Sequence, residues 1–261
     1  MVRGKLTSLV VRRRASEGRG WGLTLSADRQ AIAPLLRAHS PEDALAVYYA
    51  LHHSEARTQL TLHRDKHDCA DGFMAVCQTG FDLFQPLVVL RAPTAQVAAQ
   101  LLRDGLAPTR SYHVIVPPGL APAVQSELDV QQAATHLVFE ARRADFQPVI
   151  NVLVTSSRGP DGAMRFAIRA ADGRVVAESG VNWRTDEFAE VFVHVEFAAQ
   201  GRGLGKSVVS ACVVHLLESD LRPLYCVEQD NAESLAIAEA LGFADTGARE
   251  FAYIGCVKRE T

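Results

Sequence analysis

The chain has 261 residues, of which 48% are hydrophobic and 22% charged, and its formal net charge is −3 at pH 7. This is the composition of a globular protein long enough for two domains, and the slightly acidic balance gives no overall electrostatic basis for binding nucleic acid. No uninterrupted apolar stretch approaches the roughly 20 residues of a membrane span, and the five cysteines form no C-x-x-C pair. We therefore expect a cytoplasmic protein without disulfides.

Residues 1–25 differ from the rest of the chain. The first 20 residues carry Lys5 and five arginines against one acid, Glu17. Such a run is typical of a nucleic-acid-contacting arm or a transit peptide, but also of a frayed terminus. The run is short and lacks an amphipathic period, so we interpret residues 1–25 as a basic, flexible arm.

The pattern over residues 26–147 predicts an α/β domain with several strands and few helices. Ser40-Pro41-Glu42-Asp43 has the cap, the first-turn proline and the acids of a helix start. The elements expected after it are strands at Gln59–Leu62, Gly72–Gln78 and Pro86–Arg91, a helix over Pro93–Leu106, a strand at Tyr112–Val116, a helix near Ala121–Leu128 and a strand at Thr135–Ala141.

A group of metal-type side chains falls in the turn between the first two of these strands. It comprises His63, His67 and Cys69, with His52 and His53 nearby. Zinc ligands usually come as spaced pairs on a rigid scaffold, whereas these residues lie in a charged hairpin turn. We interpret them as a solvated turn and predict no metal site. A G-x-S-x-G hydrolase elbow is also missing from the sequence.

Residues 148–261 predict a second domain that begins with an antiparallel meander. The expected strands are Val149–Thr155, Arg165–Arg169, Arg174–Trp183 and Glu190–Phe197. Turn sequences at 159–162 (Gly-Pro-Asp-Gly) and 171–173 (Ala-Asp-Gly) separate them. A glycine loop and a long helix follow the last strand.

That glycine loop is the strongest chemical signal in the chain. Gly201, Gly203 and Gly205 stand between a strand rich in β-branched residues and an amphipathic helix. Glycines let the backbone approach a phosphate, and the free amides at a helix start point at it with the positive end of the helix dipole. Arg202 and Lys206 add positive charge, and Ser207 can cap the helix or bond a phosphate oxygen.

Two nucleotide-binding motifs fit this loop poorly. A P-loop requires glycine where the chain has Gln200, so its register fails although Gly205-Lys206-Ser207 matches the end of the motif. A dinucleotide fingerprint reads G-x-G-x-x-G early in a βαβ unit, whereas this loop reads G-x-G-x-G late in the chain.

The stretch Gln200-Gly201-Arg202-Gly203-Leu204-Gly205 resembles the Q/R-x-x-G-x-G/A motif of GNAT acyltransferases. A buried strand at Pro223–Val227, the helix begun by Asn231-Ala232-Glu233-Ser234 and its ending Leu241-Gly242-Phe243 resemble the second motif of that family. The resemblance covers about residues 150–261. It implies an α/β protein with a mixed sheet, a GNAT fold in the C-terminal half, and a second, smaller GNAT-like lobe without a glycine loop in the N-terminal half.

The resemblance also implies how the chain would hold its co-substrate, acetyl-CoA. Acyl-CoA in GNAT domains lies between two parallel strands, here Glu190–Phe197 and Leu224–Glu228. The backbone of two valines would pair with the pantetheine arm, and an amide near the second would polarise the thioester carbonyl. The positions implied to bind CoA are Val193, Val195, Gln200, Gly201, Arg202, Gly203, Leu204, Gly205, Lys206, Ser207, Asn231 and Ser234.

Catalysis in this family is the direct attack of an amine on the thioester, assisted by a base. Glu190 opens the strand before the glycine loop, where family members often place a glutamate, and it is the principal candidate for the base. His194, Glu196 and Glu178 are further candidates.

The chain departs from the family at the position of the usual acid. Many members carry a tyrosine in the second-motif helix that protonates the leaving thiolate, and Ala238 occupies that position here. Tyr253 is a candidate to replace it, and Tyr225 is another.

The sequence thus predicts an N-acyltransferase that moves an acetyl or small acyl group from acetyl-CoA to an amine of a small molecule or peptide. We expect it to use no metal, nucleic acid or membrane. The alternative is a CoA-binding sensor that has lost its chemistry, as Ala238 suggests.

Overall fold

The computed structural model of the protein describes residues 26–80, 84–108, 110–159 and 162–258. The arm predicted over residues 1–25 lies outside them. By contacts, the described chain divides into two compact units: one is Leu137–Gly247, and the other holds the residues up to His136 and from Ala248 onward. The domain boundary suggested at residue 147 stays a prediction.

The unit that holds the residues up to His136 and from Ala248 onward is called the N-terminal unit below, and its described residues form four α-helices and six strands or parts of strands. The main elements are α1 (Ala27–Ile32), α2 (Ala44–Val47), which a π-helical turn continues (Tyr48–His52), β1 (Thr58–Arg64), β2 (Ala70–Cys77), β3 (Leu87–Arg91), α3 (Ala95–Gly105), β4 (Ser111–Val116), α4 (Ala121–Glu127), the first part of β5 (Leu128–Glu140) and the last part of β11 (Ala244–Val257). Short 3₁₀ turns cover Ala33–Leu35, Glu55–Arg57 and Pro118–Leu120.

The strands of this unit confirm the predicted hairpin and the predicted buried strand. β1 and β2 pair antiparallel, β2 pairs antiparallel with β3, β3 runs parallel to β4, and β4 pairs antiparallel with β11. Leu87, Val88, Val89 and Leu90 of β3 are all buried, as expected for a strand covered on both faces.

The predicted helix after Ser40 is shorter than expected. It begins only at Ala44, and the Asp43 side chain makes no cap bond to the first-turn amides. Its carboxylate accepts hydrogen bonds from the Arg37 backbone N–H (3.1 Å) and from Arg91 Nε (2.8 Å) instead. Ser40, the cap that the sequence suggested, thus lies before the helix start, and Asp43 occupies the N-cap position and is held by a long-range ion pair.

The unit Leu137–Gly247 contains the elements of the predicted second domain. In chain order it has the end of β5, β6 (Thr155–Arg158), β7 (Met164–Arg169), β8 (Val175–Arg184), β9 (Phe188–Val195), a 3₁₀ turn (Phe197–Ala199), α5 (Leu204–Glu218), β10 (Arg222–Glu228), α6 (Ala232–Ala240) and the start of β11. Within the unit the strand order is β5-β10-β9-β8-β7-β6, in which β9 and β10 are parallel and β6 to β9 form the antiparallel meander.

The strand predicted at Val149–Thr155 is wrong, because strand pairing begins only at Thr155. The segment before it lies along α5. The Val149 N–H donates to Ser210 Oγ (2.8 Å), and Asn151 Nδ2 donates to Ser207 Oγ (3.1 Å). Of the β-branched residues that suggested a strand, Val149 and Val154 pack against the core of this unit, whereas Ile150 and Val152 are exposed.

The core of this unit lies between the sheet and the two long helices. Its buried members include Val191, Val209, Val213, Tyr225 and Leu241. The predicted mixed α/β class is thus confirmed. Among the described residues, no helix has both the length and the apolar character to cross a membrane.

Candidate functional site

The parallel strands β9 and β10 pair over only three residues each. Phe188, Ala189 and Glu190 lie opposite Arg222, Pro223 and Leu224, and both strands then continue without further pairing to each other. On its other side β9 stays paired with β8 as far as Val195. A gap therefore opens between β9 and β10 from Val191 and Tyr225 onward.

A β-bulge marks the point at which the two strands separate. Val181 of β8 lies opposite Val191 and Trp183 lies opposite Glu190, so Asn182 is an extra residue. A bulge increases the local twist and bends the ladder. This irregularity lies beside the last paired residue, Glu190, and so accounts for the divergence of β9 from β10.

The direction of the peptide groups along β9 follows from its pairing with β8. The Glu196 N–H donates to the Val176 carbonyl (2.9 Å), so the residues on either side of Glu196 present their peptide groups to the opposite edge. By this alternation Val193 and Val195 direct their N–H and C=O groups toward the gap. Gln200 Nε2 donates to the Val195 carbonyl (3.4 Å), in agreement with this orientation.

The loop between β9 and α5 depends on left-handed glycines. Gly201 and Gly203 have φ angles of +72° and +73°, a region that strains any L side chain. Gly203 is the N-cap of α5 and supplies no side-chain cap. The amides of Leu204, Gly205 and Lys206 precede the first donor of the helix, as at every helix start, and are available to an anion.

The third glycine has a different purpose. A Cβ atom on Gly205 would lie 3.1 Å from Val195 Cγ2 and 3.1 Å from Ile237 Cδ1. Its absence lets the first turn of α5 approach both β9 and α6. Gly205 thus places the amides of this turn next to the gap.

Two basic side chains accompany these amides. Arg202 is exposed and Lys206 is half-buried. Neither has a hydrogen bond or ion pair with the residues that the structure describes. Both charges therefore add to the positive end of the helix dipole rather than being neutralised by a neighbouring carboxylate.

Three other predicted CoA contacts already have structural partners. The Ser207 hydroxyl donates to the Gly203 carbonyl (3.2 Å) and accepts from Asn151. Asn231 Oδ1 caps α6 by accepting from the Ser234 N–H (3.1 Å). These bonds shape the helix starts on which the site is built, and contact of these residues with CoA stays a prediction.

The candidate bases lie around the opening of the gap. Glu190 is half-buried at the last paired position of β9, and His194, two alternations further, is exposed. The Glu196 carboxylate makes an ion pair with Arg174, whereas Glu178 Oε1 lies 3.9 Å from an arginine Nε of β7. Glu190 thus remains the carboxylate closest in the fold to the point where the strands part.

Sequence reasoning missed Glu228, which lies at the end of β10 beyond the point of separation. By strand alternation it shares a sheet face with Leu224 and therefore with the side chain of Glu190. Partial burial, and then the negative charge of Asp230, raise the pKa of Glu228. The two-residue period of β10 is the signal that would have found it, once β10 was known to be the partner of β9.

The two candidate acids fall in different units. Tyr225 lies on β10, packs against Phe243 with ring centroids 5.6 Å apart, and belongs to the same buried cluster as Ala238. Its hydroxyl is near Ser234 but makes no hydrogen bond of good geometry within the described residues, and burial raises its pKa to about 12.

Tyr253 belongs to the other unit. It is part of the apolar core formed there with β2, β3, β4 and α3. Gln125 Nε2 donates to its hydroxyl (3.5 Å), and burial raises its pKa. Its catalytic role stays a prediction.

The segment that contains His63, His67 and Cys69 lies at the turn between β1 and β2. His63 Nδ1 lies 2.6 Å from Asp71 Oδ1, and Cys69 is exposed. The described ranges contain no group of three His, Cys, Asp or Glu side chains that could hold a metal ion.

Comparison with known proteins adds a family. Residues 166–250, which span β7 to α6 and the glycine loop, match the family model described as GNAT acetyltransferase. A sequence search of curated proteins returns no significant match.

Several solved structures are similar to this fold. A GCN5-related N-acetyltransferase from Kribbella flavida is 16% identical, with 90% of this chain and 96% of that chain covered and a TM-score of 0.57. A GNAT-family putative acetyltransferase from Novosphingobium aromaticivorans is 18% identical, with 71% and 89% covered and a TM-score of 0.55. A tandem GNAT protein from the clavulanic acid biosynthesis pathway is 16% identical, with 90% and 94% covered and a TM-score of 0.55.

At these identities the solved structures support conclusions about the fold alone, and they confirm the predicted GNAT fold with a second GNAT-like unit. The family model matches the segment that builds the gap and the glycine loop. The segment 166–250 is thus similar to the GNAT acetyltransferase family, and the solved structures share its fold.

Proposed function

We propose that the protein is an acyl-CoA-dependent N-acetyltransferase that moves an acetyl group from acetyl-CoA to an amine of a small molecule or peptide in the cytoplasm. The observation that carries this proposal is the juxtaposition of the β9–β10 gap with the uncapped start of α5. A strand edge suits an amide-containing arm, and a helix start suits a pyrophosphate.

The chain supplies the donor site in two parts. The peptide groups of Val193 and Val195 would pair with the amides of the pantetheine arm, as an added strand does. The amides of Gly201–Lys206 would hold the pyrophosphate, and the side chains of Arg202 and Lys206 would add charge-assisted contacts. No metal is needed for this arrangement.

The same elements support amine acetylation. Glu190 would accept the proton of the substrate ammonium, directly or through one water, so that the neutral amine attacks the thioester carbonyl. The amide of Val195 would stabilise the developing oxyanion. Alkyl thiols such as cysteine have a pKa of about 8.5, so the thiolate leaves readily and Tyr253 or Tyr225 would assist rather than enable the step.

A turnover assay tests the proposal. Purified protein is given acetyl-CoA and a panel of amines, and release of the free CoA thiol is measured. We expect steady release with at least one amine, and we expect Gly203→Asp to abolish it, because the substitution strains the loop and places a carboxylate where the pyrophosphate binds.

Gly173→Asp is the matched control for that experiment. Gly173 also has a positive φ (+85°) and open space around it, but it lies in the turn between β7 and β8. Its variant should release thiol at the wild-type rate. Tight acetyl-CoA binding without turnover on any amine would favour the sensor alternative that Ala238 suggests, and absence of both binding and turnover would contradict the two functions together.

A further inference from the structure

A three-residue ion-pair network lies at the closed end of the β9–β10 gap. Arg222 Nε donates to Glu140 Oε1 (2.7 Å), and Arg222 Nη2 donates to Glu140 Oε2 (3.0 Å), which is the bidentate geometry of a strong arginine–carboxylate pair. Arg222 Nη1 makes a further bond to Glu187 Oε1. The guanidinium carbon lies 4.5 Å from the centroid of the Phe188 ring.

These residues belong to three neighbouring strands. Glu140 is the last residue of β5, Glu187 immediately precedes β9, and Arg222 is the first residue of β10. Main-chain bonds reinforce the junction: the Arg222 N–H donates to the Glu187 carbonyl (2.8 Å), and the Ala141 N–H donates to the Pro223 carbonyl (3.0 Å). The start of β10 is thus held on both of its edges.

The network is well protected from water on one side. The Glu140 side chain is only 5% exposed, so its charge depends on arginines for compensation. Arg222 is hydrogen-bonded to it, whereas the more exposed Arg142 is farther away, with its Nε 3.9 Å from Glu140 Oε2. Hydrogen bonding to both carboxylates raises the pKa of Arg222, despite the opposing effect of partial burial. The guanidinium of Arg222 therefore keeps its charge beside these carboxylates.

The position of this network determines what it does. Beyond Arg222 the two strands pair for only two more residues and then separate. A small rotation of β10 about its first residues would change the spacing between the Val193 and Val195 peptide groups and the facing strand. Hydrogen bonds to a bound amide depend steeply on that spacing.

We propose that Arg222 and Glu140 are positioning residues that set the width of the acyl-CoA gap. They act through the register and angle of β10 and do not touch the reacting atoms. This inference rests on the proposed function, because the gap is taken as the donor site. It predicts a defect in donor binding that is separate from any defect in folding.

The experiment compares wild type with Arg222→Met, Arg222→Lys and the double variant Glu140→Gln/Arg222→Met. Calorimetry gives the Kd for CoA, the thiol assay gives KM for acetyl-CoA and kcat, and thermal unfolding gives Tm. Arg143→Met is the control, because Arg143 is an exposed arginine of the same unit that bonds the Leu217 carbonyl.

For Arg222→Met we expect Kd and KM to rise by about tenfold to a hundredfold while kcat changes much less. Arg222→Lys keeps the positive charge but loses the bidentate guanidinium, so its Kd should lie between those of wild type and Arg222→Met. The double variant leaves no unpaired buried charge, so its Tm should recover toward wild type. Its Kd should stay raised, which a purely structural role would not produce.

Two failures remain distinguishable. Wild-type protein that binds no CoA contradicts the proposed function, and with it this inference. Wild-type protein that binds CoA, together with a folded Arg222→Met whose Kd is unchanged, contradicts the inference alone. If Arg222→Met does not fold, the double variant decides, and a wild-type Kd in that variant overturns the proposal.

Discussion

β3 and β9 occupy corresponding places in their units. Each is followed by a loop, a helix and a parallel strand, and each pairs with that strand over three residues. Leu87, Val88 and Val89 lie opposite His113, Val114 and Ile115, just as Phe188–Glu190 lie opposite Arg222–Leu224. A short parallel pair joined by a loop and a helix is thus present in both units.

The two helix starts differ in how their amides are satisfied. In the N-terminal unit Thr94 caps α3, and its hydroxyl oxygen accepts from the Val97 N–H (3.2 Å). The preceding loop has no glycine, and Arg91, the last residue of β3, is bound to Asp43. In the other unit α5 starts at Gly203, which has no side chain to offer.

Within the described residues, this difference is the reason that we propose a donor site in one unit and not in the other. A helix start that a threonine has capped, next to an arginine that a carboxylate has neutralised, offers little to a pyrophosphate. A helix start preceded by two left-handed glycines offers its amides and two uncompensated cations. The two units therefore share the order of strand, loop and helix, and the loop residues decide whether the helix start can bind a pyrophosphate.

Exchanging the two N-cap residues, Gly203 and Thr94, is the most direct test of this difference between the units. We expect Gly203→Thr to raise the Kd for CoA by about a hundredfold, because a β-branched residue at φ +73° is strained and its hydroxyl competes for the amides. Thr94→Gly should leave both the Kd and the binding of one CoA per chain unchanged. Calorimetry measures the two quantities, and a second CoA bound by Thr94→Gly would contradict the comparison.

The second prediction concerns the pH dependence of stability in the N-terminal unit. Glu250, in the N-terminal unit, is 6% exposed, and burial raises its pKa to about 7 while Arg91 acts in the opposite direction. The unfolded carboxyl has a pKa of about 4.3, so the folded state binds its proton more tightly. Stability from this proton is complete below about pH 4 and is lost as the pH rises toward 7.

Glu250→Gln removes this dependence. The free energy of unfolding of the variant, measured relative to that of wild type, should therefore be higher at pH 8 than at pH 5. We expect this difference to grow by roughly 2 to 3 kcal/mol between the two pH values. Urea unfolding at the two pH values checks it, and amide exchange should place the change in the N-terminal unit. Asp104→Asn, an exposed carboxylate of the same unit, is the control, and an equal gain at pH 5 and pH 8 would contradict the assignment.

The smallest expected effects come from removing matching caps, Thr94 in one unit and Asn231 in the other. Thr94→Ala and Asn231→Ala should each lower the free energy of unfolding by about 1 kcal/mol, since each leaves one helix amide without its partner. Thermal unfolding measures this loss. The Kd for CoA should rise only in Asn231→Ala, and an unchanged value there would show that Asn231 is a cap and no more.

Much of the geometry of the proposed donor site could be predicted because its signals are local. About thirty residues contain the three glycines, the strand of β-branched residues before them and the apolar helix after them. The Asn231 cap lies three residues from the amide to which it is hydrogen-bonded. Steric limits on φ and the needs of a helix start act over such short distances. The strand at Val149–Thr155 failed for the opposite reason, because contact with α5 overrode the preference of its residues.

The sequence by itself thus determined the glycine loop and the two helix starts of the unit Leu137–Gly247. It also determined that Ala238 stands where many GNAT members have a tyrosine. Only the tertiary structure decided where β9 and β10 part, that Tyr225 and Tyr253 belong to different units, and that Arg222 binds Glu140, 82 residues away. Backbone propensity and capping are properties of neighbours along the chain. The width of a gap and the partner of a buried charge depend on which distant strands the whole fold brings side by side.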